Sequence, residues 1–246
     1  MALRDNLVSW WELNETSGTR YDAHGTNHLT DNNTVLYGTG KQGNCADFED
    51  TNSEYLSITN AAQTGLSPTG DFSVSAWFKA ESQPASGYEF AIVSKTAGGA
   101  GGSYMFTYLN SSGTYKLYAA LYDSSAPGTN VNYFSAAQTL SNGTWYHLAF
   151  VVTAASGKVE FFVNGSSIGS VTDASMNDIN TCTAPFNIGA FNSSNRFMDG
   201  ILDEVGFWSR ALTSTEVTSL YNSGNGLSYA DTAGGGAVNS GFFAFM

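Results

Sequence analysis

The chain has 246 residues, with 9 Lys+Arg against 21 Asp+Glu, a formal net charge of -12, and 42% hydrophobic, 14% aromatic and 12% charged residues. The apolar and aromatic content excludes a disordered chain. The acidic balance opposes the basic footprint that a nucleic-acid partner needs, and no run of about 18 apolar residues exists to span a membrane as a helix. Few Lys, Arg and Glu beside 27 Gly favour strands joined by polar turns over long helices.

In chain order, Asp5, Asn6 and Ser9 interrupt the stretch of about 7–15 apolar residues that a secretory signal requires. The expectation is synthesis in the cytoplasm without a signal peptide. The N-x-[ST] triplets at Asn14, Asn32, Asn110, Asn142, Asn164 and Asn192 then read as turn chemistry and not as sugar acceptors. His24 and His28 are four apart, but Gly25 and Thr26 between them favour a loop over a zinc-binding helix face. Cys45 and Cys182 have no metal-type spacing and read as buried thiols, with their pairing left open.

The strand signals begin in earnest at residue 72. Phe72, Val74, Ala76 and Phe78 alternate with Ser73, Ser75 and Trp77, the period-2 pattern of a half-buried strand. Further candidates run over Tyr88 to Lys95, Tyr104 to Leu109, Tyr115 to Tyr122, Trp145 to Thr153 and Lys158 to Val163. Turn clusters such as Asn110-Ser111-Ser112-Gly113 and Ser141-Asn142-Gly143 separate them, and Asn164-Gly165 is a strong hairpin signal because both residues tolerate positive φ. An antiparallel all-β protein over residues 5–210 follows. Aromatic side chains with a polar edge concentrate in residues 104–133, and Tyr104, Tyr108, Tyr118 and Tyr122 are the candidate ligand-binding residues of that set.

Near the end of the chain, Thr213 and Glu216 have the spacing of a capping box, Val217, Leu220 and Tyr221 form a short apolar stripe, and Gly224 offers a left-handed exit. One helix of two to three turns is expected there. From Tyr229 a glycine-rich stretch leads into Gly241-Phe242-Phe243-Ala244-Phe245-Met246. Exposing such a segment is costly. The alternatives are that it folds back on its own sheet, that it docks into a partner, with Phe242, Phe243, Phe245 and Met246 as the partner-binding residues, or that it is disordered.

Bond-breaking chemistry has little support. Glycoside hydrolysis uses two facing carboxyl groups, but Glu89 and Glu160 are isolated on their strands. Asp203 and Glu204 are adjacent, which on a strand points them to opposite faces. There is no G-x-S-x-G, and His147 reads as a packed strand residue. The expectation is a non-enzyme.

Several segments resemble laminin-G-like domains of the concanavalin A-like lectin/glucanase jelly rolls. Trp10-Trp11-Glu12-Leu13-Asn14-Glu15-Thr16-Ser17-Gly18-Thr19 is similar to the family's opening strand, and Asp71 to Lys79 to a later one. Trp145-Tyr146-His147-Leu148-Ala149, Phe162-Val163-Asn164-Gly165 and Gly200 to Leu212 match further positions of its pattern. The resemblance covers about residues 5–228. It implies an all-β two-sheet antiparallel jelly-roll sandwich in which the first and last strands are adjacent. The division expected is 1–228 for the sandwich and 229–246 for a glycine-rich linker and apolar tail.

The resemblance also implies one structural calcium ion, held by Asp22, Asn27 and Asp203; His24 and His28 depart from the family's loop. It implies a non-catalytic module that binds a carbohydrate or a protein on a cell or particle surface. Together with the tail and the missing signal, this points to a virion-associated structural, decoration or adhesion protein, such as one of a phage, in a homo-oligomer or larger assembly. The alternatives are a structural assembly subunit with no glycan ligand and a polysaccharide-cleaving glycosidase.

Overall fold

The structure, a computed structural model, describes residues 1–98, 101–125, 129–176 and 178–233. In chain order its strands are β1 (Leu7–Trp11), β2 (Thr30–Asn32), β3 (Leu36–Thr39), β4 (Asn44–Phe48), β5 (Tyr55–Ile58), β6 (Phe72–Ala80), β7 (Glu89–Thr96), β8 (Gly102–Ser111) and β9 (Thr114–Tyr122). They continue with β10 (Asn130–Ala137), β11 (Tyr146–Thr153), β12 (Lys158–Val163), β13 (Ser166–Thr172), β14 (Phe186–Ile188), β15 (Ala190–Asn192), β16 (Asn195–Phe197) and β17 (Gly200–Trp208). A single α-helix among the described residues, α1, spans Ser214–Tyr221.

Two antiparallel sheets make a jelly-roll sandwich. One has the order β13-β12-β11-β6-β17-β4-β3, with β1 paired to β17; the other has the order β10-β9-β8-β7-β14-β5-β2. Strands β15 and β16 form a separate hairpin. The first and last strands are adjacent, with Trp10 opposite Gly206 and Trp11 opposite Val205.

Side-chain alternation builds the core. Phe72, Val74, Ala76 and Phe78 of β6 face Tyr104, Phe106 and Tyr108 of β8 and Leu117, Ala119 and Leu121 of β9 in one apolar cluster. Phe106 stacks on Phe150 across the sandwich at 4.6 Å between ring centroids. Fully burying a side chain of this size contributes about 1.5–3 kcal/mol, so the aromatic density of this chain supplies much of its cohesion. Asn164 and Gly165 form the β12–β13 turn with φ of 50° and 75°; both are left-handed, which is why this dipeptide is suited to it.

Thr213 caps α1, with its Oγ1 accepting from Glu216 N at 3.3 Å while Glu216 Oε2 accepts from Thr213 N at 2.8 Å. The left-handed exit comes earlier than expected, at Asn222 (φ 48°) instead of Gly224. Asparagine tolerates this conformation, and its Nδ2 donates to Gly226 O at 2.8 Å. Val217 and Leu220 bury the helix against Trp10, Phe162 and Trp208.

Beyond it, Tyr229 to Ala233 lie against the start of the chain. The Arg4 guanidinium sits 3.9 Å from the centre of the Tyr229 ring, and Arg4 Nε donates to Thr232 Oγ1 at 3.0 Å. Phe242, Phe243, Phe245 and Met246 lie outside the described residues. Cys45 and Cys182 are free thiols; Cys45 is buried as expected, and Cys182 is half-buried.

Candidate functional site

The seven-stranded sheet turns a second apolar surface outward. Strand alternation sends Met105 of β8 and Tyr118, Ala120 and Tyr122 of β9 to the face opposite the core, where they cluster with Phe191. The register carries rows across this face. Phe134 lies opposite Tyr118, which lies opposite Thr107, which lies opposite Ala91. In another row Lys116 lies opposite Leu109, which lies opposite Glu89.

A groove of about 330 Å³ runs over these rows, lined by Glu89, Tyr118, Tyr122, Phe134, Phe191 and Arg196 among others. Tyr118 and Phe134 stack at 4.8 Å with 13° between ring planes. The Tyr118 hydroxyl donates to Asn132 Oδ1 at 2.6 Å, and Phe134 remains 40% exposed. Gly102 is required beneath Tyr122: a Cβ there would meet the ring at 2.2 Å.

The polar centre of the groove is Glu89, 2% exposed. Its Oε1 accepts from Arg196 Nη1, while its Oε2 is buried without a hydrogen-bond partner among the described residues. Burial pushes the Glu89 carboxyl up from its usual range, and the Arg196 bond and charge pull it back. Burial, with the Glu89 charge added, likewise pushes the Tyr118 phenol up. Arg196 comes from the β15–β16 hairpin, which leans over β7, and Ser94 Oγ of β7 donates to Ala190 O at 2.7 Å to tie it down. Arg196 adopts φ 56°, an uncommon conformation for a residue with a side chain.

The candidate ligand residues divide between the two faces of the sheet. Tyr118 and Tyr122 line the groove. Tyr104 and Tyr108 do not: both are fully buried in the core. The Tyr104 hydroxyl donates to Leu66 O at 3.0 Å, and the Tyr108 hydroxyl donates to Gln83 Oε1 at 2.9 Å. Even numbers on β8 point inward and even numbers on β9 point outward, a difference of register that aromatic clustering does not reveal. Glu89 has a signal in the sequence, since an acid within Glu89-Phe90-Ala91-Ile92-Val93 is uncommon in a buried strand unless it is paired. Arg196, Phe134 and Phe191 carried none.

The candidate metal ligands are occupied by the chain itself. Asp22 Oδ1 accepts from Trp10 N, His24 N and Gly25 N at 3.0, 2.9 and 2.9 Å, and its Oδ2 accepts from Asn27 N at 3.1 Å. Asn27 Oδ1 accepts from Thr64 N at 2.7 Å. Asp203 serves a different loop: its Oδ2 accepts from Lys41 N and Gln42 N at 2.6 and 2.9 Å. Asp22 and Asn27 are thus brought together and Asp203 is engaged apart from them. With amide donors on these oxygens, a calcium ion here would have to share or displace those hydrogen bonds.

The two loop histidines and Glu204 are engaged by the chain itself. His28 Nδ1 accepts from Asp22 N at 3.0 Å, and His24 Nδ1 lies 3.1 Å from the Tyr229 hydroxyl. Glu204 accepts from the Trp10 indole N–H. Asp47, Glu49 and Glu81 have carboxylate oxygens within 4.8 Å of one another, where burial and then mutual repulsion raise the Glu81 carboxyl.

The match that decides the family is of sequence. The description "Concanavalin A-like lectin/glucanases superfamily", in its laminin-G type, matches residues 50–218. The chain belongs to this superfamily.

Solved structures share the sandwich fold. The binding domain of Paraclostridial Mosquitocidal Protein 1 superposes with a TM-score of 0.71 at 18% identity, covering 90% of this chain and 53% of that one. Domain 4 of AbnA, a GH43 extracellular arabinanase from Geobacillus stearothermophilus solved in complex with arabinotriose, superposes at 0.64 and 22% identity, covering 87% and 97%. The binding domain of botulinum neurotoxin serotype G gives 0.64 at 16%, covering 88% and 50%. The superfamily domain thus spans about half the length of the toxin binding domains it matches. At these identities the likeness is one of fold. No curated protein matches the chain in sequence.

Proposed function

We propose that this superfamily domain is a non-catalytic carbohydrate-binding module whose site is the outer groove of the seven-stranded sheet. One observation carries the reading. Glu89, whose buried Oε2 has no donor among the described residues, lines a groove walled by the stacked Tyr118 and Phe134 rings. Sugars present apolar C–H faces to aromatic rings and hydroxyl donors to carboxylates, so both halves of the site find a complement in one ligand. Glu89 is the single carboxylate among the groove's lining residues, and the facing pair that glycoside hydrolysis uses is not formed there.

The neighbours support a binding role: the arabinanase domain was solved with arabinotriose, and a botulinum neurotoxin DC binding domain with SialylT. Another structure of that toxin domain is a complex with rat synaptotagmin II, so a protein surface is the alternative occupant. The test is calorimetric titration of a panel of soluble oligosaccharides into the wild type and into Tyr118→Ala and Phe134→Ala. Binding that both substitutions weaken is expected. Silence across the panel, or binding indifferent to both substitutions, overturns the reading.

The apolar segment 241–246 supports attachment to a sister copy or to a larger particle such as a virion. Gel filtration of the full chain beside a chain ending at 233 tests this. A larger species lost on truncation is expected, and identical elution volumes would refute it.

A further inference from the structure

The Glu89–Arg196 pair contains more than a place for a sugar. Glu89, a lining residue of the groove, uses one oxygen on Arg196 and leaves the other buried without a donor among the described residues. Buried polar atoms in folded proteins are almost always satisfied, by water where not by protein, so this oxygen has a donor still to accept, and the groove that Glu89 lines is where one can come from. Arg196 is 41% exposed, and the hydrogen bond to Glu89 uses its Nη1. Its Nη2 and Nε donors form no hydrogen bond to the described residues. Its guanidinium is steadied over Phe191, 5.3 Å from the ring centre.

Acceptor and donor thus stand side by side on one ion pair. Two neighbouring hydroxyl groups of a sugar ring match this arrangement: one donates to Glu89 Oε2 and the other accepts from Arg196. The ring's C–H face then meets Tyr118 and Phe134. Hydrogen bonds to charged partners are the stronger kind, so the pair would set orientation as well as affinity.

The same geometry discriminates by charge. An acidic sugar reaching the groove meets the Glu89 carboxylate and a chain of net charge -12. It can reach the remaining Arg196 donors only beside the Glu89 carboxylate, whose charge Arg196 already compensates. Repulsion of the wrong ligand is built into the contact that binds the right one.

We propose, resting on the carbohydrate-binding reading above, that the site takes neutral glycans through a free vicinal diol held by Glu89 and Arg196, and rejects uronic and sialic acid sugars.

The experiment is calorimetry with neutral trisaccharides (arabinotriose, cellotriose, laminaritriose) and anionic ones (trigalacturonate, sialyllactose). A neutral member is expected to bind, with every anionic member at least about 10-fold weaker. Glu89→Gln and Arg196→Gln should each weaken the neutral ligand about 10- to 100-fold. Partial O-methylation of that ligand's adjacent hydroxyls should do the same. If Glu89→Gln loses its melting transition, Arg196→Gln, at the exposed end of the pair, decides.

An anionic trisaccharide as the tightest binder overturns the proposal. So does neutral binding that survives both substitutions while Tyr118→Ala still abolishes it. That second result leaves the groove as a glycan site. Binding that no groove substitution affects, or no binding at all, removes the underlying reading and this inference with it.

Discussion

Arg210 grips Glu216 with both arms of its guanidinium, Nη1 to Oε2 and Nη2 to Oε1, each at 2.8 Å. Both side chains are under 10% exposed, at 8% and 9%. The pair sits where the chain leaves β17 for α1, and Arg210 Nε also donates to Asp5 O at 2.7 Å. One residue therefore ties the start of the chain, the last strand and the helix cap together. Burial alone would raise the Glu216 carboxyl, but the bonds from Arg210 and Thr213 more than offset it and hold it below its usual range.

Arg210→Met should cost about 3–5 kcal/mol, because it leaves a buried carboxylate without its partner. Urea unfolding of the two proteins at pH 7 checks this. The sign in pH follows from the lowered carboxyl. The stabilisation is present above the unfolded value near 4.5 and fades as the pH falls through the folded one, so the gap between the two proteins should close in acid. A gap under about 1 kcal/mol at pH 7 would show that the pair is replaceable.

His147 gives a second acid response. It is buried between Trp77 and Tyr221, at 5.4 and 6.4 Å between ring centres, with Nδ1 unpartnered among the described residues. Burial pushes its pKa down from 6.5 to about 3. The folded value lies below the unfolded one, so this contribution is fully present above pH 6.5 and lost as the pH falls from there towards 3. His147→Phe should remove a slope of about 1.4 kcal/mol per pH unit from that window. Parallel pH profiles for the two proteins between pH 4 and 6.5 would refute the assignment.

How much of this was legible in the sequence depends on the range of the signal. Period-2 patterns such as Phe72 to Phe78 report one strand's two faces, and they marked the strands; the two-sheet sandwich came from the family resemblance. The capping box Thr213–Glu216 and the turn Asn164–Gly165 are local devices and read correctly. The groove is not local. Glu89 and Arg196 are 107 positions apart, and they meet because the β15–β16 hairpin crosses over β7. Which tyrosines face outward depends on how β8 and β9 are paired, which no single strand's pattern records. The family resemblance sets Asp203 beside the Asp22 loop, and its Oδ2 accepts from the amides of Lys41 and Gln42.

Chelation tests that last point. With four amide donors on Asp22 and three on Asp203, the oxygens of both carboxylates already have partners within the chain. The melting midpoint should move by less than about 1 °C on adding EDTA and then excess calcium, since a ligand that does not bind the fold does not stabilise it. A rise of several degrees with calcium, reversed by chelator, would mean that an ion displaces these amides.

The two tyrosines of opposite facing make the sharpest contrast. Tyr104 is fully buried, with its ring 5.1 Å from Phe72 and its hydroxyl bonded to Leu66 O. Tyr104→Ala should cost about 3–5 kcal/mol, as removal of a core aromatic does, and whatever fraction stays folded should keep its groove. Tyr118 lies on the outer face, and its stacking on Phe134 is a cross-strand pair, a class of contact that contributes about 0.2–1 kcal/mol. Tyr118→Ala should leave the fold within about 1 kcal/mol of wild type and abolish oligosaccharide binding. Melting and calorimetry on the same two variants separate the roles. Equal destabilisation by both substitutions, with binding lost only in step with folding, would mean that the outer aromatics serve packing alone.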